Sequence, residues 1–169
     1  MKTVIVLVMH GAPPRDFSRP RLGEFFALHA RLGQVAEAEK QSLLARFEPL
    51  EREIRSWPRT PENDPFYTFS QELACELAAV TGNEVIVGYN EFCAPDVPLA
   101  LERAVELGAG RIMVVTPMMT RGGEHAETEI PALIREFGSL HPEIEIKYAW
   151  PFEKSEIAVF LKQHLLRFV

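Results

Sequence analysis

Residues 4–17 read VIVLVMHGAPPRDF, and how this stretch is read decides the fold. Six apolar residues run without interruption into His10, and Gly11, Pro13 and Pro14 follow. A continuous apolar run of this length, rather than an alternating one, is expected of a strand covered on both faces, as in a parallel sheet. The glycine and the two prolines end it, because neither a strand nor a helix continues through such a turn. In open parallel sheets, ligands bind beyond the carboxyl ends of the strands. His10 therefore stands where a site is expected, and the question is whether other reactive side chains arrive there too.

Working outward, residues 84–88 (EVIVG) and 111–116 (RIMVVT) are nearly continuous apolar runs of the same kind, whereas 144–148 (IEIKY) alternate as a half-exposed edge strand does. Helical stripes at three- and four-residue spacing lie between them: Phe69, Leu73, Leu77 and Val80; Val97, Leu101 and Val105; Ile130, Leu133, Ile134 and Phe137. Ile157, Phe160, Leu161, Leu165 and Phe168 form a last stripe. This alternation predicts an α/β fold: a flavodoxin-like, open parallel four-stranded sheet of order 2-1-3-4, with helices on both faces.

About seventy residues separate the first two strands, far more than one crossover helix needs. Leu43, Phe47, Leu50, Ile54 and Trp57 carry a stripe there, with Pro49 inside it, and WPRTPENDP (57–65) breaks it. Residues 20–56 read as a helical insertion, either extra cover for the core or a lid over the site. The 169 residues are expected to form one domain, 1–169. The net charge of −6 argues against nucleic acid as a partner. No apolar run approaches the ~18 residues of a membrane span. Cys75 and Cys93 form no C-x-x-C pair, so a reducing, cytoplasmic setting is expected.

In a 2-1-3-4 sheet the first and third strands straddle the switch point. His10 follows the first strand, Glu91 the second, and His125 ends the loop PMMTRGGEH after the third. Taken singly, a histidine at a strand end can bond loop backbone, and Glu91 can cap the helix after Pro95. Their joint arrival points instead to a site of two imidazoles and one carboxylate, a set suited to Co²⁺, Ni²⁺ or Fe²⁺ with coordination positions left open. Phe17, Met118 and Met119 suit a flat apolar ligand. Arg15, Arg19 and Arg121 suit its carboxylates, although each equally suits a solvated surface. Gly122 and Gly123 allow close backbone approach. His29, His141 and His164 read as structural. G-x-S-x-G, Walker A and G-x-G-x-x-G motifs are absent.

VMHGAPP and GYNEFCAPDVPLALERAVELGAGRIMVVTPMMTRGGEHAETEIPALI, in their order and spacing, resemble the sirohydrochlorin chelatase family, the class II chelatases. The family pattern is H-G-S, then F-x-E with a following proline, then P-x-x-x-x-x-G-x-H before D-I-P. The resemblance implies insertion of Co²⁺ or Fe²⁺ (Ni²⁺ in some relatives) into sirohydrochlorin, an anionic tetrapyrrole, for cobalamin or sirohaem synthesis. It assigns His10 and His125 as the metal-binding and catalytic histidines and Glu91 as their acidic partner. The metal is then a substrate, no organic cofactor is implied, and a homodimer is expected. Ala12 stands in place of the family's serine, Glu129 in place of its aspartate, and WPFEKS lacks the usual glycine. A protoporphyrin-type ferrochelatase and a non-enzymatic metal or tetrapyrrole carrier are the alternatives.

Overall fold

The computed structural model describes residues 1–169. Its elements are β1 (Thr3–Met9), α1 (Arg19–Leu32), α2 (Glu37–Ser56), α3 (Pro65–Thr81), β2 (Glu84–Tyr89), α4 (Val97–Glu106), β3 (Arg111–Val115), α5 (Ile130–Leu140), β4 (Glu145–Tyr148) and α6 (Lys154–Leu165). A short π-helix, His125–Glu129, leads directly into α5. The sheet has the order β2-β1-β3-β4 expected from sequence, and every pairing is parallel.

The uninterrupted apolar run of β1 follows from its central place. Leu7 and Met9 join a core cluster on one face, with Phe25 and Leu28 of α1, Phe47 and Ile54 of α2, and Ala74 of α3. Val4, Val6 and Val8 join the other, with Leu101 of α4 and Ile130 and Phe137 of α5. Successive side chains point to opposite faces of a strand, so only a strand covered on both sides is apolar at every position. Helix α4 lies so close to β2 that a Cβ at Gly88 would come within 2.9 Å of the Ala100 Cβ.

The helix starts follow local chemistry. Asp64 and Asp96 cap α3 and α4, each accepting a backbone N–H bond at 2.9 Å, from Tyr67 and Leu99 respectively, and a proline follows each within two residues. The cap that Glu91 could have supplied for α4 is thus filled by Asp96. Helix α2 runs on through Pro49 without ending there.

Two of the expected stripes are placed differently. In α3 the buried residues are Ser70 and Ala74, while Phe69 and Val80 face solvent. In α6 no residue is buried, and Phe160, Leu161 and Leu165 are exposed, as is Phe168 just beyond it. A stripe records that a helix has an apolar side; it does not record what covers that side.

Candidate metal centre

The loops after β1, β2 and β3 bring His10, Glu91 and His125 together, with one potential ligand atom from each lying within 4.8 Å of the others. His10 Nε2 is 3.6 Å from Glu91 Oε2. The two imidazole rings meet edge to face, with centroids 4.7 Å apart and planes at 83°. Two ligands bound at about 2.1 Å to a tetrahedral ion stand roughly 3.4 Å apart, so the His10–Glu91 separation already fits a shared ion. All three side chains are partly exposed, which leaves the centre open on one side.

Backbone contacts set the loops. The Glu91 N–H donates to His10 O at 2.8 Å, and the Asn90 N–H donates to Met9 O at 2.9 Å. Gly11 has φ +96°, and a Cβ there would lie 1.9 Å from Glu91 O. Only glycine both adopts that conformation readily and lets the β2 loop approach so near.

Second partners fix each imidazole. His10 Nδ1 is 2.9 Å from Gly11 O. A carbonyl only accepts, so Nδ1 carries the hydrogen and the Nε2 lone pair is left facing Glu91. His125 Nδ1 is 2.7 Å from Glu129 Oε2, a carboxylate–histidine pair that leaves Nε2 bare in the same way. The Asn90 amide also donates to Glu129 Oε2, at 2.6 Å, and lies 2.6 Å from His125 Nδ1. Burial raises the Glu129 carboxyl, but the hydrogen bonds from His125 and Asn90 outweigh that and hold it below the ordinary carboxylate range.

His125 and Glu129 stand four residues apart in the π-helix, on one side of it, and α5 begins with Ile130 and Pro131. Proline has no N–H to continue the ladder. Ala126 O accepts instead from the Tyr148 hydroxyl at 3.0 Å.

Sequence reasoning missed both Asn90 and Glu129 as site residues. The signal for Glu129 was its position four residues after His125 on a helical segment. His29, read as structural, lines a cavity of about 170 Å³ behind the centre with Glu51, Asn90, Glu91, Phe92 and Glu129.

The expected ligand-contacting residues scatter more. Phe17 is a correction: it is 3% exposed and packs edge-on against Trp57, with centroids 5.0 Å apart, inside the core. An apolar loop residue beside a two-faced sheet is drawn into the core rather than left at the rim. Arg15 lines a surface depression with Asp16, Thr60, Glu62 and Asn63, and none of the triad lines it. Arg19 is exposed at the start of α1. Arg121 pairs with Glu127 at 2.7 Å and lies over the Trp150 ring, 5.1 Å from its centroid. Met118 packs against the core cluster on the α4 and α5 side of the sheet, while Met119 lines an apolar groove with Phe152, Ile157 and Phe160. Gly122, at φ +87°, and Gly123 are exposed in the loop before His125.

Comparison with known proteins follows the same lines. The CbiX family model matches residues 59–165, well over half of the chain. The sirohydrochlorin cobaltochelatase of Methanocaldococcus jannaschii is 37% identical over 71 residues, an alignment covering 39% of this chain and 49% of that protein. The match thus spans about half the length of that curated relative. Among solved structures, the sirohydrochlorin chelatase SirB from Bacillus subtilis subspecies spizizenii, in complex with cobalt, aligns with a TM-score of 0.44 at 20% identity, covering 89% of this chain and 44% of that one. A cobalamin (vitamin B12) biosynthesis CbiX protein from Marinobacter aquaeolei VT8 aligns with a TM-score of 0.49 at 19% identity, covering 98% of each chain. The chain belongs to the CbiX family.

Proposed function

We propose that the protein inserts a divalent metal ion, Co²⁺ or Fe²⁺ (Ni²⁺ as a further candidate), into sirohydrochlorin, in cobalamin or sirohaem synthesis. The observation that carries this reading is the convergence of His10, Glu91 and His125 at three successive strand ends, within reach of one ion. Family membership supplies the macrocycle. The metal is a substrate here, and no organic cofactor is part of the proposal.

Insertion exchanges two pyrrole protons for one M²⁺. The residues must therefore hold the ion, release it, and accept protons. His10 and His125 each present a bare Nε2, fixed by the bond that the other ring nitrogen makes. In this reading they carry the ion with Glu91 and pass it to the pyrrole nitrogens as its water ligands leave. Each Nε2 freed of metal then accepts a pyrrole proton, and the Glu91 carboxylate, 3.6 Å from His10 Nε2, stabilises the imidazolium formed. Glu129 does the same for His125, since a carboxylate held ionised favours the protonated ring.

The macrocycle is assigned to the open side of the triad, bordered by the 117–125 loop with Met119, Arg121, Gly122 and Gly123. Arg15 and Arg19 belong to this proposal only as groups that meet peripheral carboxylates. A single domain, 1–169, with 20–56 as its insertion, a cytoplasmic setting and a homodimer complete it. In support, β1 pairs with both β2 and β3, so the chain on either side of 20–56 builds one sheet, no helix is long and apolar enough to cross a membrane, and α6 exposes an apolar stripe that a second copy could cover.

The test is direct. Protein, sirohydrochlorin and Co²⁺ are mixed and the absorption change on metallation is followed. Catalysed metallation, lost in His10→Ala and His125→Ala, is the expected result. A rate indifferent to both substitutions ends the assignment. Metal binding without turnover selects a carrier instead, and turnover of protoporphyrin but not sirohydrochlorin selects the ferrochelatase alternative.

A further inference from the structure

Glu91 sits in a loop that its own sequence does not hold. Phe92, the next residue, has φ +58°, the left-handed region that a bulky side chain rarely adopts without outside support. The support comes from the chain between β1 and α3, and it is unusually complete.

Arg55, on the last turn of α2, reaches across to this loop. Its Nη1 donates to Cys93 O at 2.9 Å and its Nη2 to Asn90 O at 3.2 Å, so the two contacts bracket Glu91. Glu51, one turn earlier, holds the same guanidinium at Nε (3.1 Å) and Nη2 (3.0 Å) and so fixes its orientation. Arg59 takes the carbonyl between: its Nη2 donates to Phe92 O and, at 2.7 Å, to Ile54 O. Its Nη1 donates to Ala12 O at 2.8 Å, two residues beyond His10, and to the buried carboxylate of Asp64. The remaining carbonyl of the loop, Glu91 O, accepts from the Cys93 N–H at 2.6 Å.

Every carbonyl from residue 90 to 93 therefore has a donor, and two guanidinium groups supply three of the four bonds. An exposed arginine paired only with Glu51 on its own helix would be of little consequence. Arg55 differs, because its side chain is only 19% exposed and its fork is aimed at backbone 35 and 38 residues away. Charge-assisted bonds in fixed fork geometry impose position as well as energy.

From this we infer that Arg55, seconded by Arg59, is a positioning residue for the metal centre: it sets the Glu91 carboxylate at coordinating distance from His10. The inference rests on the reading of Glu91 as a metal ligand. It also gives the α1–α2 hairpin a task beyond covering the sheet, since the hairpin ends at the arginine that shapes the second ligand loop.

A double-mutant cycle on Co²⁺ affinity tests it, with binding read from the visible absorption of the bound ion and melting temperature recorded for every variant. Arg55→Gln is expected to weaken Co²⁺ binding about tenfold, with a melting temperature within about 5 °C of the wild type. In the Glu91→Gln background the same substitution should change affinity less than twofold, because its effect passes through Glu91. Arg55→Lys, which keeps the charge but cannot span both carbonyls, should fall between wild type and Arg55→Gln. Wild-type protein that binds Co²⁺, with Arg55→Gln binding equally well or with effects simply additive to Glu91→Gln, overturns the positioning role alone. Failure of wild-type protein to bind Co²⁺ overturns the reading of the triad, and this inference with it.

Discussion

Gly11→Ala strikes the centre at its narrowest point. The methyl group would be built 1.9 Å from Glu91 O and 2.9 Å from Glu91 C, both backbone atoms that no rotamer change can move aside. Ordinary contact needs about 3.4 Å, so the two loops must part by roughly 1.5 Å. The φ of +96° adds a backbone cost of about 1–2 kcal/mol for alanine. The displaced pair is the one that matters, since the Glu91 N–H bonds to His10 O and His10 Nε2 faces Glu91 Oε2 at 3.6 Å. A shift of about 1 Å in a reacting group costs on the order of 10²-fold in rate. Gly11→Ala should therefore lower metallation of sirohydrochlorin by about two orders of magnitude. Co²⁺ binding should weaken with it, while the far-ultraviolet circular dichroism stays that of the wild type. Both losses are read in one cuvette, from the visible bands of bound Co²⁺ and of the metallated macrocycle. Wild-type affinity and rate in a folded Gly11→Ala protein would refute the claim that this contact sets the ligand geometry.

Other perturbations reach different parts of the account. Glu129→Ala removes the acceptor that fixes His125 and should weaken Co²⁺ binding by about 10- to 100-fold, measured by the same titration. Arg121→Ala should raise KM for sirohydrochlorin with little change in kcat. Burial pushes the Tyr148 hydroxyl up to about 12, from an ordinary value of 10.0. Its neutral form is the one the fold favours, so this contribution to stability is intact below pH 10 and is lost as pH rises towards 12. In a titration followed at 295 nm, Tyr148→Phe should remove amplitude near pH 12 and none near pH 10.

What could be read from the sequence divides by how directly a residue's place follows from periodicity. The strands of the sheet are legible because β1 and its neighbours are buried on both faces, which leaves only apolar residues. His10 and Glu91 are legible because they follow their strands within two residues, where a parallel sheet presents its carboxyl ends. His125 comes ten residues after β3, and the 2-1-3-4 strand order is what sets it opposite His10. Phe17 was misplaced because a loop side chain has no period to reveal which way it faces. Asn90 is not legible because its role depends on a neighbouring loop, whereas Glu129 carries a signal in its place four residues after His125. The stripe of α6 is legible as apolar, but periodicity does not reveal that nothing in the chain covers it. Arg55 lies four residues from Glu51, and in sequence that spacing looks like an ordinary helix pair; only its reach to Asn90 and Cys93 shows otherwise.

The account turns on one ion being shared by side chains from three strand ends. Diffraction at the cobalt absorption edge, from crystals grown with Co²⁺, locates the ion directly. The expected result is a single anomalous peak about 2.1 Å from His10 Nε2, His125 Nε2 and a Glu91 carboxylate oxygen. A protein that holds its cobalt elsewhere, with both imidazoles unligated, would contradict it.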